Sequence, residues 1–205
     1  MFEFNTHNPT IHYIEDSPIY IIDDFYKYPK EVEKEFWRNE LNYHKESDPG
    51  DNGKLFHDMR HNFYSQELVK VTEYLLDMCG SSYYFSDSNC LSNVFKYEGV
   101  DYIDNYWYPH TDTGYTALIY FEGTGTNLYA VPNEIERDNI EKTFEHCNPW
   151  RPKNNYELLF TIESKYNRLV LFNGKQFWHG ADISHSPTKR FNQALFFSDE
   201  PIEYI

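Results

Sequence analysis

The spacing of apolar positions changes near residue 80. Ahead of that point two stretches carry a helical period. Residues 29–41 open on Pro29, which suits the first turn of a helix, and place Val32 and Phe36 one turn apart. A second helix is predicted after Ser65, whose hydroxyl can cap it. Its Leu68, Val71 and Leu75 form one stripe, and Gly80 ends it. Residues 19–25 (Ile-Tyr-Ile-Ile-Asp-Asp-Phe) read as a short strand, and 47–54, with Pro49-Gly50 and Asn52-Gly53, as a turn-rich loop. From residue 81 the runs are short and β-rich: 91–97, 116–121, 127–131, 157–163, 168–173 and 190–198. Clusters of Gly, Pro, Asn and Asp separate them, as in an antiparallel sandwich or barrel. Residues 132–156 interrupt the series with a predicted helix over 133–145 and a Pro-Trp-Arg-Pro loop.

This pattern predicts a mainly β fold with flanking helices, a double-stranded β-helix of the jelly-roll, cupin-like kind. Residues 1–205 form one domain in this reading: a helical flank with a short edge strand over 1–80, and the jelly-roll core over 81–205. No internal repeat, low-complexity tract or linker interrupts it.

Composition sharpens the picture. A chain of 205 residues can bury roughly 70% of the surface its unfolded form exposes. Mean hydropathy is low at -0.75, yet 40% of residues are apolar and 19% aromatic. Tyr and Phe can therefore build the core, and disorder is excluded. The net charge of -15 and the lack of a Lys/Arg cluster argue against a nucleic-acid partner. The acidic balance favours neutral or cationic substrates. No run approaches the roughly 18 apolar residues of a membrane span. Met1-Phe-Glu-Phe-Asn has neither the basic start nor the apolar stretch of a secretory signal. Cys79, Cys90 and Cys147 make no metal-type pair and read as inert fillers. Their odd number leaves at least one free, so a cytoplasmic location is expected.

The candidate chemistry begins with His110-Thr111-Asp112. The tripeptide alone is uninformative, since nine histidines and 33 acids produce about 1.4 such matches by chance. The chain has a second one, His44-Lys45-Glu46, near a helix end. Context separates the two. Asn-Arg-Leu-Val-Leu-Phe-Asn at 167–173 reads as a buried strand, and after a turn His179 stands on the next one. Arg190 follows eleven residues later, at the head of an apolar strand where a lone charge is costly unless an anion meets it. Non-haem Fe(II) that activates O2 takes two imidazoles and one carboxylate on one face. His-x-Asp on a strand turns both side chains to the same face, and a second histidine can arrive from a remote strand. A 2-oxo acid would chelate two open positions, and a guanidinium suits its distal carboxylate better than an ammonium does.

Residues 91–198, about half the chain, resemble the Fe(II)/2-oxoglutarate-dependent oxygenase superfamily, in particular its prolyl-4-hydroxylase-like branch. The matching pieces are Tyr97-Glu98-Gly99, Tyr-Pro-His-Thr-Asp at 108–112, Ala-Leu-Ile-Tyr-Phe at 117–121, Asn-Leu-Tyr at 127–129, Asn-Arg-Leu-Val-Leu-Phe-Asn at 167–173, His179, and Arg190-Phe191-Asn192. The resemblance implies that His110, Asp112 and His179 hold Fe(II). It implies that Arg190 pairs with the distal carboxylate of the co-substrate 2-oxoglutarate, with Asn192 the small polar position two residues on and Tyr97 the co-substrate tyrosine. Thirteen residues separate Tyr97 from His110, so Tyr106 or Tyr108 are alternatives for that tyrosine. The branch's usual Gly-Gly pair is replaced by Gly125-Thr126-Asn127. The implied activity is an O2-dependent hydroxylation of a peptidyl side chain or small metabolite, with release of succinate and CO2.

Competing readings stand beside this one. The protein could be a cupin-like metalloenzyme that uses no 2-oxoglutarate, or a non-catalytic jelly-roll binding module. His185, in a Ser-His-Ser-Pro turn, rivals His179 as second histidine. His57-Asp58-Met59-Arg60-His61 has the histidine spacing of a helical zinc site without its glutamate, and reads as a solvated turn or helix end. The aromatic stretch 102–108 could line a substrate mouth, though packing is its commoner use.

Overall fold

A computed structural model describes residues 1–38, 45–46, 56–63, 65–81, 91–98, 109–130, 156–182 and 189–199. The predicted loop 47–54, the predicted helix 133–145 and the aromatic stretch 102–108 lie outside the described residues.

Two helices form where the apolar spacing places them. Helix α1 (Pro29–Arg38) buries Val32 and Phe36 and carries three exposed i,i+3 ion pairs, Lys30–Glu33, Lys34–Glu31 and Arg38–Glu35. Such pairs add only a few tenths of a kcal/mol each, so the apolar face does most of the anchoring. Helix α2 (Gln66–Met78) starts at Ser65, whose Oγ accepts the Leu68 amide at 3.2 Å. It ends in a Schellman turn: Gly80, at φ +68°, donates to Asp77 O, and Ser81 donates to Leu76 O.

The strands are β1 (Thr10–Ile14), β2 (Ser17–Ile22), β3 (Lys45–Glu46), β4 (Phe56–Phe63), β5 (Leu91–Glu98), β6 (Tyr115–Glu122), β7 (Thr126–Ala130), β8 (Glu157–Ile162), β9 (Arg168–Asn173), β10 (Trp178–Ala181) and β11 (Lys189–Phe197). They make two antiparallel sheets, an eight-stranded one in the order β1-β2-β9-β6-β11-β5-β4-β3 and a three-stranded one in the order β10-β7-β8. A bridge between His110 and His179 lays the 110 segment beside β10 as a fourth member of the smaller sheet. The mainly β, jelly-roll expectation therefore holds.

Residues 1–80 differ from expectation. They supply four strands, not one short one, and extend the large sheet at both ends. The segment His57–His61, read as a turn or helix end, lies within β4, which pairs with β5 from Asp58 to Phe63. Lys45-Glu46, read near a helix end, is the short strand β3.

At β6 and β9 the large sheet is buried on both faces, which explains why these strands read as unbroken apolar runs. On β6, Ala117, Ile119 and Phe121 face the helices, in a cluster with Phe36, Leu75, Leu171, Phe191, Leu195 and Phe197. Leu118 and Tyr120 point the other way, between the sheets, with Ile19, Leu128, Val170, Phe172 and Ala194. The amino-terminal segment is tied on by polar contacts. Asn167, at φ +60°, accepts the Tyr26 amide and donates to the Tyr26 carbonyl, and the buried Tyr26 hydroxyl donates to Gln193. Asp23 meets Arg168 through two contacts, of 2.6 and 3.2 Å, and also Lys165. These contacts, led by the Arg168 hydrogen bond, lower the Asp23 carboxyl to about 2. Among the described residues no helix is long and apolar enough to cross a membrane.

Candidate metal centre

His110 and His179 are 69 positions apart in sequence but directly opposed across a strand pair. Each donates its amide to the other's carbonyl, at 3.0 and 2.8 Å. Cross-strand partners carry their side chains side by side, and the two ring centroids are 4.5 Å apart. Two residues on, the Asp112 amide donates to Gly174 O. That bond holds the carboxylate against the β9–β10 turn. Ligand atoms of His110, Asp112 and His179 all lie within 4.8 Å of one another. His179 Nε2 is 3.1 Å from Asp112 Oδ2, and His110 Nε2 is 3.9 Å from Asp112 Oδ1.

The rings are oriented from behind. His179 Nδ1 lies 3.0 Å from the Phe177 carbonyl, to which only an N–H can donate, and the edge of Phe172 packs on the ring. In the neutral imidazole this leaves a lone pair on Nε2, facing a carboxylate oxygen that also carries lone pairs. The two atoms belong 3.1 Å apart only if a cation or a second proton lies between them. The donor set, two imidazoles and a carboxylate, suits Fe(II) and similar divalent metals. Exposure is uneven: the side chain of His179 is 5% exposed and that of Asp112 9%, against 32% for His110. The cluster therefore opens on the His110 side.

Arg190 and Asn192 lie on the β11 face that turns between the sheets, the face of Ala194. Arg190 is buried at 6% exposure, yet no carboxylate pairs with it among the described residues. Its Nε donates to Thr124 O, and its Nη2 to Gly125 O and Thr126 Oγ1. Nη1 makes no hydrogen bond there. Thr124 Oγ1 and Asn192 Oδ1 are likewise buried without a hydrogen-bond partner. A buried guanidinium with donors to spare is a costly arrangement that an anion would relieve. Gly125 is required here, because a Cβ would sit 1.8 Å from Ile162 O. The glycine lets its carbonyl reach both Arg190 and the Asp182 amide.

Two residues beyond the sequence-derived set join these groups. Thr116 donates to Asp112 Oδ2 at 2.5 Å. Tyr120 is fully buried, which pushes its phenol up, and its hydroxyl lies 2.7 Å from Thr126 Oγ1, the oxygen that also accepts from Arg190. Strand parity carried the signal: 116, 118 and 120 alternate onto the same face of β6. Tyr97 stands opposite Arg190 in the β5–β11 register. Tyr106, Tyr108 and the rival His185 lie outside the described residues, as do Cys90 and Cys147.

Neither a protein-family model nor a curated protein matches the sequence. Solved structures do. The chain is similar to a prolyl 4-hydroxylase from Phytophthora capsici, with a TM-score of 0.54 and 14% identity, over 88% of this chain and 58% of that one. It thus spans less than two thirds of that protein's length. It also aligns with full-length Neurospora crassa T7H in complex with alpha-KG (TM-score 0.39, 13% identity, 71% of this chain and 56% of that one). A Burkholderia pseudomallei oxidoreductase of the 2OG-Fe(II) oxygenase family aligns with a TM-score of 0.35 and 9% identity, over 94% of this chain and 73% of that one. The chain shares the jelly-roll fold of that prolyl 4-hydroxylase.

Proposed function

We propose that this protein is an Fe(II)- and 2-oxoglutarate-dependent dioxygenase that hydroxylates a peptidyl side chain or a small metabolite, releasing succinate and CO2. One observation carries the reading: a His-Asp-His cluster and a buried arginine with no carboxylate partner among the described residues share the interior of one jelly roll. Bound iron would supply the O2 chemistry and 2-oxoglutarate two of the electrons it consumes. The chain's own residues do the rest. His110, Asp112 and His179 would hold the metal. Arg190 clamps the distal carboxylate of the co-substrate, with Thr126 and Tyr120 orienting the clamp and Asn192 offering a polar atom beside it. Phe172 and the apolar interior around it keep water from the buried side. The substrate enters on the side of His110, the most exposed ligand. The charge of -15 disfavours a nucleic-acid substrate.

Anaerobic addition of Fe(II) and then 2-oxoglutarate to the apoprotein tests this. A visible metal-to-ligand charge-transfer band is expected, absent in His110→Ala, followed by succinate formation once O2 is admitted. Iron binding with no band and no succinate would favour a cupin-like centre that uses no 2-oxo acid. No iron binding at all would leave a jelly-roll binding module.

A further inference from the structure

We infer that Thr116 is a positioning residue for the metal, setting the carboxylate of Asp112 through its hydroxyl while Gly174 walls that hydroxyl in. The inference rests on the metal-centre reading above and deepens it.

Thr116 is 1% exposed, and its hydroxyl reaches Asp112 Oδ2 at 2.5 Å. Asp112 as a carboxylate can only accept, so Thr116 donates, and the length is that of a charge-assisted bond. The hydroxyl takes one lone pair of the oxygen that also faces His179 Nε2 and thereby fixes the plane of the carboxylate. Gly174 closes the other side. A Cβ on it would stand 2.6 Å from Thr116 Oγ1, 2.8 Å from Asp112 Cβ and 2.9 Å from Gly114 O. The glycine also accepts the Asp112 amide and donates its own to Gly114 O. Backbone and side chain of Asp112 are thus both held from the same turn, before any metal arrives. What threonine adds is one buried donor aimed at the ligand.

The test measures Mn(II) or Co(II) dissociation constants on the full chain by calorimetry, without turnover, with the apoprotein Tm of each variant recorded alongside. Thr116→Val keeps the shape and removes the donor. Groups that hydrogen-bond a ligand typically change metal affinity by about 10–100-fold, and a weakening of that size is expected. Thr116→Ser keeps the donor and is expected to bind close to wild type. Thr116→Ala serves as a second donor-less variant should valine disturb folding. Donor-less variants that bind metal as tightly as wild type would overturn the inference, as would Thr116→Ser losing as much as Thr116→Val. A wild-type chain whose metal binding is absent, or is untouched by His179→Ala, would instead overturn the metal-centre reading itself.

Discussion

Replacing Arg190 with Met separates the roles this side chain is given. Arg190 donates to Thr124 O, Gly125 O and Thr126 Oγ1 and has Nη1 unengaged among the described residues. Methionine fills similar space but leaves the part-buried Thr124 O without that donor, at about 1–3 kcal/mol for an unsatisfied group, while Gly125 O keeps the Asp182 amide; removing a buried charge offsets part of this. The variant's own Tm is therefore its proper baseline, and the informative quantity is the shift that 2-oxoglutarate adds. At about 100 times its Kd a ligand stabilises the fold by about 2.7 kcal/mol. For a chain of this size, at about 2–4 °C per kcal/mol, wild type should gain about 5–11 °C. A guanidinium gripping a carboxylate through two charge-assisted bonds, at about 1.5–3 kcal/mol each, strengthens binding at least about 100-fold. Without it the same ligand concentration sits at or below Kd, adds at most about 0.4 kcal/mol, and moves Tm by at most about 2 °C. The assay is differential scanning fluorimetry in Mn(II) under argon, with and without 2-oxoglutarate. A full wild-type shift in Arg190→Met would refute the assignment of Arg190 to the co-substrate.

Three further outcomes probe the scaffold. Phe36 is fully buried against Phe2, Phe121 and Phe191, so Phe36→Ala should cost about 3–5 kcal/mol, read as a lower urea midpoint at unchanged slope. Asp23 falls to about 2 from the usual 3.8, chiefly through the Arg168 hydrogen bond. Its pairing therefore stabilises the fold above pH 3.8 and loses that effect as pH drops toward 2. The pair is partly exposed, so Asp23→Asn should be only modestly less stable at pH 7, and its deficit in chemical denaturation should vanish near pH 2. The Cys79 thiol is pushed up to about 12 by burial, with Asp199 adding to it. A thiol reagent at pH 8 should label it only after unfolding; rapid labelling of Cys79 in the native chain, mapped by mass spectrometry, would contradict that.

Legibility in the sequence followed how local each signal was. The stripe of Leu68, Val71 and Leu75, the cap at Ser65 and the doubly buried run of β9 are set within a few residues, and all three were readable. Strand β4 was not. Its Phe-His-Asp-Met-Arg-His-Asn-Phe carries no apolar alternation, and it is a strand because β5 hydrogen-bonds it, which no local pattern announces. Strand β1 escaped for the same reason: four of its five residues are exposed, so burial left no imprint on its sequence. The His-x-Asp tripeptide drew meaning only from His179 and Arg190 downstream. Thr116 and Tyr120 were hidden in plain apolar company on β6, where only strand parity marks them as sharing the inner face of Leu118.

The reciprocal amide bonds between positions 110 and 179 have a kinetic corollary. If the proposed centre holds a metal, prising this rung apart would separate the two imidazoles, so metal escape and local opening of the smaller sheet would become a single event. The residence time of the ion is then capped by how often one rung of backbone breathes, and amide exchange at those two positions becomes a clock for both.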